Sequence, residues 1–194
     1  LQDFEIYRWG PRACRATGTE LPSQQRAAED EYIGMLESLE NQLASTRYAL
    51  GDRPSAVDAI LLGGLRAHTL ADPIPDLSRF KKILAWEKSC DEGWDGEGEW
   101  ACFPECTTFA HHLISIAETE YKPFVLGNAR ALLNKIKIFD ITTYGQRTTY
   151  LTREYPERSR EMLKRFSYDV LSNSDVAIVD AWLAKTNLTE LFTS

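Results

Sequence analysis

The chain has 194 residues, 43% of them hydrophobic and 11% aromatic, enough to bury one sizeable core, so a single domain over residues 1–194 is expected. Its 22 Lys and Arg against 29 Asp and Glu leave a net charge of −7, which gives no electrostatic reason to expect nucleic acid or an anionic membrane surface as a partner. No apolar run reaches the roughly 18 to 20 residues of a bilayer-spanning helix and no basic-then-apolar leader opens the chain, so the sequence reads as soluble.

Helical periodicity dominates. Arg8, Arg12 and Arg15 fall at i, i+4, i+7 beside Tyr7 and Trp9, although Gly10-Pro11 stands where it can break that spacing. Pro22 is a first-turn residue, and Tyr32, Met35, Leu36, Leu39 and Leu43 form one apolar stripe to about Thr46, with Glu29, Glu31, Glu37 and Glu40 off it. After a turn at Gly51 to Pro54, Ser55 and Asp58 have the spacing of a capping box, in which each side chain takes up the other residue's amide. The helix that follows, to about Leu70, carries Ile60, Leu61, Leu62 and Leu65 round much of its circumference. The pair Gly63-Gly64 costs roughly 1 kcal/mol per residue there, so a buried helix closely approached by another backbone is expected.

Asp72-Pro-Ile-Pro-Asp76 ends that helix. Phe80, Ile83, Leu84 and Trp86 predict a shorter one to about Ser89, and the Gly-rich acidic run Cys90 to Glu99 an exposed loop. Helical spacing returns from Pro104 to Ala131 through Phe109, Leu113, Ile116, Phe124 and Leu126, with Pro123 a kink or break. Between Lys135 and Thr152, β-branched and aromatic residues flank Tyr144-Gly-Gln146 and predict a two-stranded hairpin near residues 136–151. Helices at about Glu157 to Leu171 and Asp175 to Thr186 close the chain, the last with Ile178, Val179, Trp182 and Leu183 on one side; Trp86 and Trp182 are expected in the core. The fold class is therefore all-α, a helical bundle with one small hairpin.

Cofactor motifs are weak. Cys102, Cys106, His111 and His112 are four potential zinc donors, but adjacent helical histidines point about 100° apart and the spacing matches no common zinc frame, so no metal is expected. Asp91, Asp95 and Gly96 mimic a calcium loop whose third and twelfth positions, Gly93 and Cys102, bring no carboxylate. Four cysteines are too few for a disulfide scaffold, which makes a reducing, cytoplasmic setting the default, or an organelle interior had a presequence been removed. Asn187-Leu-Thr189 fits a glycosylation acceptor, a tripeptide common by chance.

The ordered set "YALGDRPSAVDAILLGGL", "ADPIP", "AWEKSC", "EYKPFVLGNARALL", a Gly-centred hairpin and "YLTREY" resembles the C-terminal, all-helical domain of the glutathione transferase superfamily, in a branch with an extended C-terminal region, from about Arg8 to Phe192. The resemblance implies that Ser55 and Asp58 are structural, and that the domain supplies the pocket wall for an electrophilic second substrate. Its partner would be an N-terminal thioredoxin-like domain carrying the glutathione site, and a homodimer is open. Leu1 is not an initiator methionine, so this chain is expected to be the C-terminal part of a longer protein. It would bind no cofactor of its own, glutathione being the co-substrate of the full-length protein, and would not be active alone; its catalytic residues are unknown. In the superfamily the first helix of this domain faces the glutathione cleft. Tyr7, Trp9, Arg12 and Arg15 are therefore candidates to meet an anionic co-substrate or the missing domain, or else they form a solvated face. The alternative function is a non-catalytic binding or scaffold module of a larger complex.

Overall fold

In a computed structural model, which describes residues 2–71 and 75–193 with side chains from residue 10 onward, the chain is mostly helical with one antiparallel hairpin. The helices are α1 (Gln2–Thr17), α2 (Pro22–Gln42), α3 (Ala56–Gly64), α4 (Lys81–Ser89), α5 (Thr108–Ile116), α6 (Lys122–Leu133), α7 (Glu154–Asp169), α8 (Asn173–Lys185) and α9 (Glu190–Thr193); the strands are β1 (Ile138–Thr143) and β2 (Gln146–Leu151). No helix among the described residues is long and apolar enough to cross a membrane. The chain divides into two compact units, one of Leu1–Glu29 with Ser115–Ser194 and one of Asp30–Ile114.

The second unit is built on the predicted stripe of α2. Leu36 and Leu39 are fully buried and pack with Tyr48, Leu65, Phe80, Ile83, Trp86 and Phe109, with Tyr32, Met35 and Leu43 at the margin. Polar side chains tie the helix ends to this core. Glu40 accepts the amides of Lys82 and Ile83, both at 2.9 Å, and so caps α4, whose own N-cap residue Phe80 has no side-chain acceptor. The buried Gln42 accepts from Thr108 Oγ1 at 2.7 Å, and Thr107 Oγ1 donates to the carbonyl of Ala49 while accepting the amide of Ala110.

The Ser55–Asp58 capping box is present. Asp58 Oδ2 accepts both the amide and the hydroxyl of Ser55, at 2.8 and 2.7 Å, and Ser55 Oγ takes the amide of Val57. Asp58 Oδ1 adds a bond the motif does not announce, from the buried amide of Ala49 at 2.9 Å. The helix it starts is not buried all round: α3 runs into a wide π turn over Leu65–Thr69, and only Asp58, Leu65 and Thr69 of this stretch are buried. Ile60 is 75% exposed, and Gly63 and Gly64 face open space rather than a neighbouring backbone. An apolar circumference in the sequence thus corresponds to one packed side and one uncovered side. The predicted stop at Asp72-Pro73-Ile74 lies outside the described residues; Asp76 beyond it caps a short 3-10 turn, Leu77–Arg79.

In the first unit, α1 continues through Gly10 and Pro11, so the helical spacing is kept there. At Pro123 the regular α-helix does give way: Pro123 sits in the first turn of α6, and a π turn over Ala117–Tyr121 separates α6 from α5. The hairpin turns at Tyr144-Gly145, both at positive φ, the signature of a two-residue I′ turn. Its inner face is Phe139, Ile141 and Thr143 on β1 with Thr148 and Tyr150 on β2; Ile138 points outward, and Ile136 precedes the strand. Phe124 of α6, Phe139 and Tyr150 form an aromatic cluster with centroids 5.0 to 6.1 Å apart. At the chain end Leu183 is buried and Trp182 only half-buried, while Ile178 is exposed, so α8 packs by a narrower side than its composition suggested. The buried Arg160 of α7 is held by Glu157, Glu161 and the Leu191 carbonyl. The last short helix, α9, was not anticipated.

Candidate functional site

Two of the four residues singled out in the sequence, Arg12 and Arg15, border one cleft of about 400 Å³ in the first unit; the side chains of Tyr7 and Trp9 lie outside those described. Opposite α1, the cleft is closed by Leu151 at the end of β2 and by Thr152 and Arg153, which lead into α7. Helical spacing alone brings Arg12 and Arg15 to one side of α1.

Arg153 is a site residue that the sequence did not reveal, because it reaches the cleft through tertiary structure. Asn128, fully buried in α6, accepts the Arg153 amide at 2.9 Å and donates to the Arg153 carbonyl at 2.8 Å, which fixes the backbone there with two bonds. The Arg153 guanidinium, free to point away from its pinned backbone, lies 5.8 Å from the centroid of Phe124. Beside it, the Thr152 amide is held by the Lys137 carbonyl.

The charges are unequal. Arg15 is forked onto Glu20 Oε1 at 2.9 and 2.6 Å, a bond that raises the guanidinium pKa and holds the Glu20 carboxyl below its usual range. One of the three cations is thus neutralised within the chain. Arg12 has no carboxylate partner among the described residues, and Arg153 is exposed. The cleft therefore presents two guanidinium forks to an anion, with the apolar flank of Pro11 and Leu151 beside them. The described lining residues, three arginines with Pro11, Ala16, Leu151 and Thr152, are suited to binding and orienting an anion.

A second cleft of similar volume, about 410 Å³, lies in the other unit beside Arg47, Lys82 and Trp86. Its charge is mixed: Arg47 is bonded to Asp95 and the Glu97 carbonyl, and Glu92 stands in the lining. Ser55 and Asp58 are fully engaged in capping and carry no site.

The other constellations are dispersed by the fold. His111 Nε2 lies against the Glu105 carbonyl and His112 packs near Gly34, and no group of three or more His, Cys, Asp or Glu placed to hold a metal occurs among the described residues. In the acidic loop, Asp91 pairs with Arg66 and Asp95 with Arg47, so these carboxylates turn to guanidinium groups rather than to a common centre. The Asn187 amide donates to Glu118 at 3.0 Å. Compared with family models, curated proteins and solved structures, the chain matches none.

Proposed function

We propose that this chain is the helical, substrate-pocket part of a glutathione transferase-like protein, in which a thioredoxin-like domain elsewhere in the full-length protein holds glutathione and these helices receive the electrophile. The observation that carries the reading is the cleft of Arg12, Arg15 and Arg153, because it joins the first helix, where the resemblance expects contact with an anionic co-substrate, to a third guanidinium. The uncovered side of α3, with Ile60 exposed and Gly63-Gly64 facing open space, supports a missing neighbour. On this reading the chain contributes orientation and charge, and the reacting thiolate comes from the other domain.

The test is the coding sequence upstream of Leu1 together with the protein it specifies. A thioredoxin-like βαβ segment, and glutathione binding weakened about tenfold by Arg153→Gln, are expected, since one desolvated guanidinium–carboxylate contact is worth on the order of 1.5 to 3 kcal/mol. An upstream region without that fold overturns the reading. The alternative, a non-catalytic binding module, is favoured by a different observation, the broad apolar face that α7 leaves exposed.

A further inference from the structure

On α7, Tyr155, Met162, Leu163 and Phe166, with Val170 at its C-cap, are 76%, 68%, 51%, 69% and 64% exposed. At about 100° per residue these five side chains fall within an arc of about 100°, a strip about 22 Å long, with the half-buried Ser159 in the same arc between Tyr155 and the group Met162, Leu163, Phe166 and Val170. The side of the same helix that adjoins the strip at Leu163 is already occupied, since Pro156 and Arg160 are buried there and Arg160 is bonded to Glu157 and Glu161. The strip is therefore a second apolar face on a helix whose core-facing side is accounted for.

Tyr155 and Phe166 alone expose roughly 300 Å², on the scale of ~150 to 250 Å² per aromatic side chain. With Met162, Leu163 and Val170 the strip reaches roughly 600 Å², the upper end of the largest apolar patch of an ordinary monomer and most of the ~800 Å² that each partner of a standard interface buries. One border of the strip is charged, with the exposed Arg158, Arg165 and Asp169 all on the same edge.

We propose that this face is a self-association surface through which two copies of the chain pair with their α7 helices antiparallel. In an antiparallel pair related by a two-fold axis, the same border of each strip faces itself. The register that seats Phe166 of one copy on Met162 of the other places Arg158 within one residue of the other copy's Asp169, on both sides of the axis. Apolar layers and opposite charges thus select one alignment. The same register leaves the two Arg165 side chains as the like-charged neighbours nearest the axis, a feature specific enough to test. This surface is independent of the arginine cleft and of any glutathione chemistry.

The experiment is sedimentation velocity of the chain over about 1 to 200 µM, a range that brackets the micromolar affinity of a modest interface, with circular dichroism to confirm that each variant is folded. A concentration-dependent dimer is expected, abolished by Phe166→Glu. Arg158→Asp and Asp169→Arg should each weaken it about tenfold, and the double exchange should restore it, while Arg165→Gln should tighten it. A monomer throughout the range, a dimer indifferent to Phe166→Glu, single charge changes that the double exchange does not rescue, or a monomer whose α7 face instead binds phosphatidylserine vesicles would each overturn the proposal.

Discussion

Asp58 uses both of its oxygens: one closes the capping box on Ser55, and the other holds the amide of Ala49, itself completely buried. Replacing it with Ala removes a helix cap, at about 0.5 to 2 kcal/mol, and leaves a buried amide without an acceptor, at about 1 to 3 kcal/mol. The expected loss is about 3 kcal/mol in urea unfolding. Asp58→Asn keeps one acceptor oxygen but turns its NH2, a donor, on the other amide, so it should recover only part of that loss, and an Asn variant as stable as the parent would contradict the double role. The cap was legible in the sequence because it is local, three residues apart. The bond to Ala49 was not, because it depends on how the preceding turn folds back. The same contrast separates Arg12 and Arg15, which one helix sets side by side, from Arg153, which needs Asn128 in a distant helix to place it. Local periodicity reports which residues share a face; it does not report which faces meet.

Glycines make the point at the scale of elements. The sequence suggested that Gly63-Gly64 admits a neighbouring backbone, yet a Cβ at either position would meet nothing within 4 Å. The close approach is at Gly127 of α6, where a Cβ would stand 2.9 Å from both Ile141 Cγ2 and Phe139 Cε2 of β1. Gly127→Ala should therefore lift the hairpin from α6 and destabilise the protein by about 1 to 3 kcal/mol despite its better helix propensity. Gly63→Ala, on an exposed helical position, should stabilise by up to about 1 kcal/mol. Thermal unfolding of the two variants decides this, and a destabilised Gly63→Ala would mean that α3 is covered in solution. The extent of the hairpin was readable from β-branched residues around Tyr144-Gly145, as was the stripe of α2, because both repeat over many residues. The inward register of the strands and the π turn that precedes Pro123 were not, being settled by packing on α6. Where the hairpin faces water, Asp140 accepts bonds from Thr149 and Arg147, which hold its carboxyl below the usual range.

For the molecule as a whole, the charged groups define a window of pH. Glu20, Asp76, Asp95 and Asp140 are held below their ordinary values, the first by its bond to Arg15, the second by bonds from Ser78, the third chiefly by Arg47 and the fourth by Thr149 and Arg147. A carboxyl depressed in the folded state binds fewer protons there than in the unfolded chain. Its contribution is complete above the unfolded value, near 4, and is lost as the pH falls through the lower folded value. On the alkaline side burial raises the thiols of Cys90 and Cys106 and the phenols of Tyr48 and Tyr121. These groups stay protonated in the folded chain at a pH where the unfolded chain has released its protons, so stability declines as the pH rises past the unfolded thiol value of about 8.5, and further past about 10 for the phenols. The melting temperature should accordingly be flat between about pH 5 and pH 8 and fall on both sides. Because the alkaline fall is assigned to the half-buried thiols first, Cys90→Ala with Cys106→Ala should move its onset from the thiol range to the phenol range. The same thiols should alkylate slowly with iodoacetamide at neutral pH while the exposed Cys102 reacts, the thiolate being the nucleophile. An onset unmoved by the double replacement, together with equal labelling of all cysteines in the native protein, would show that neither thiol is shielded from solvent.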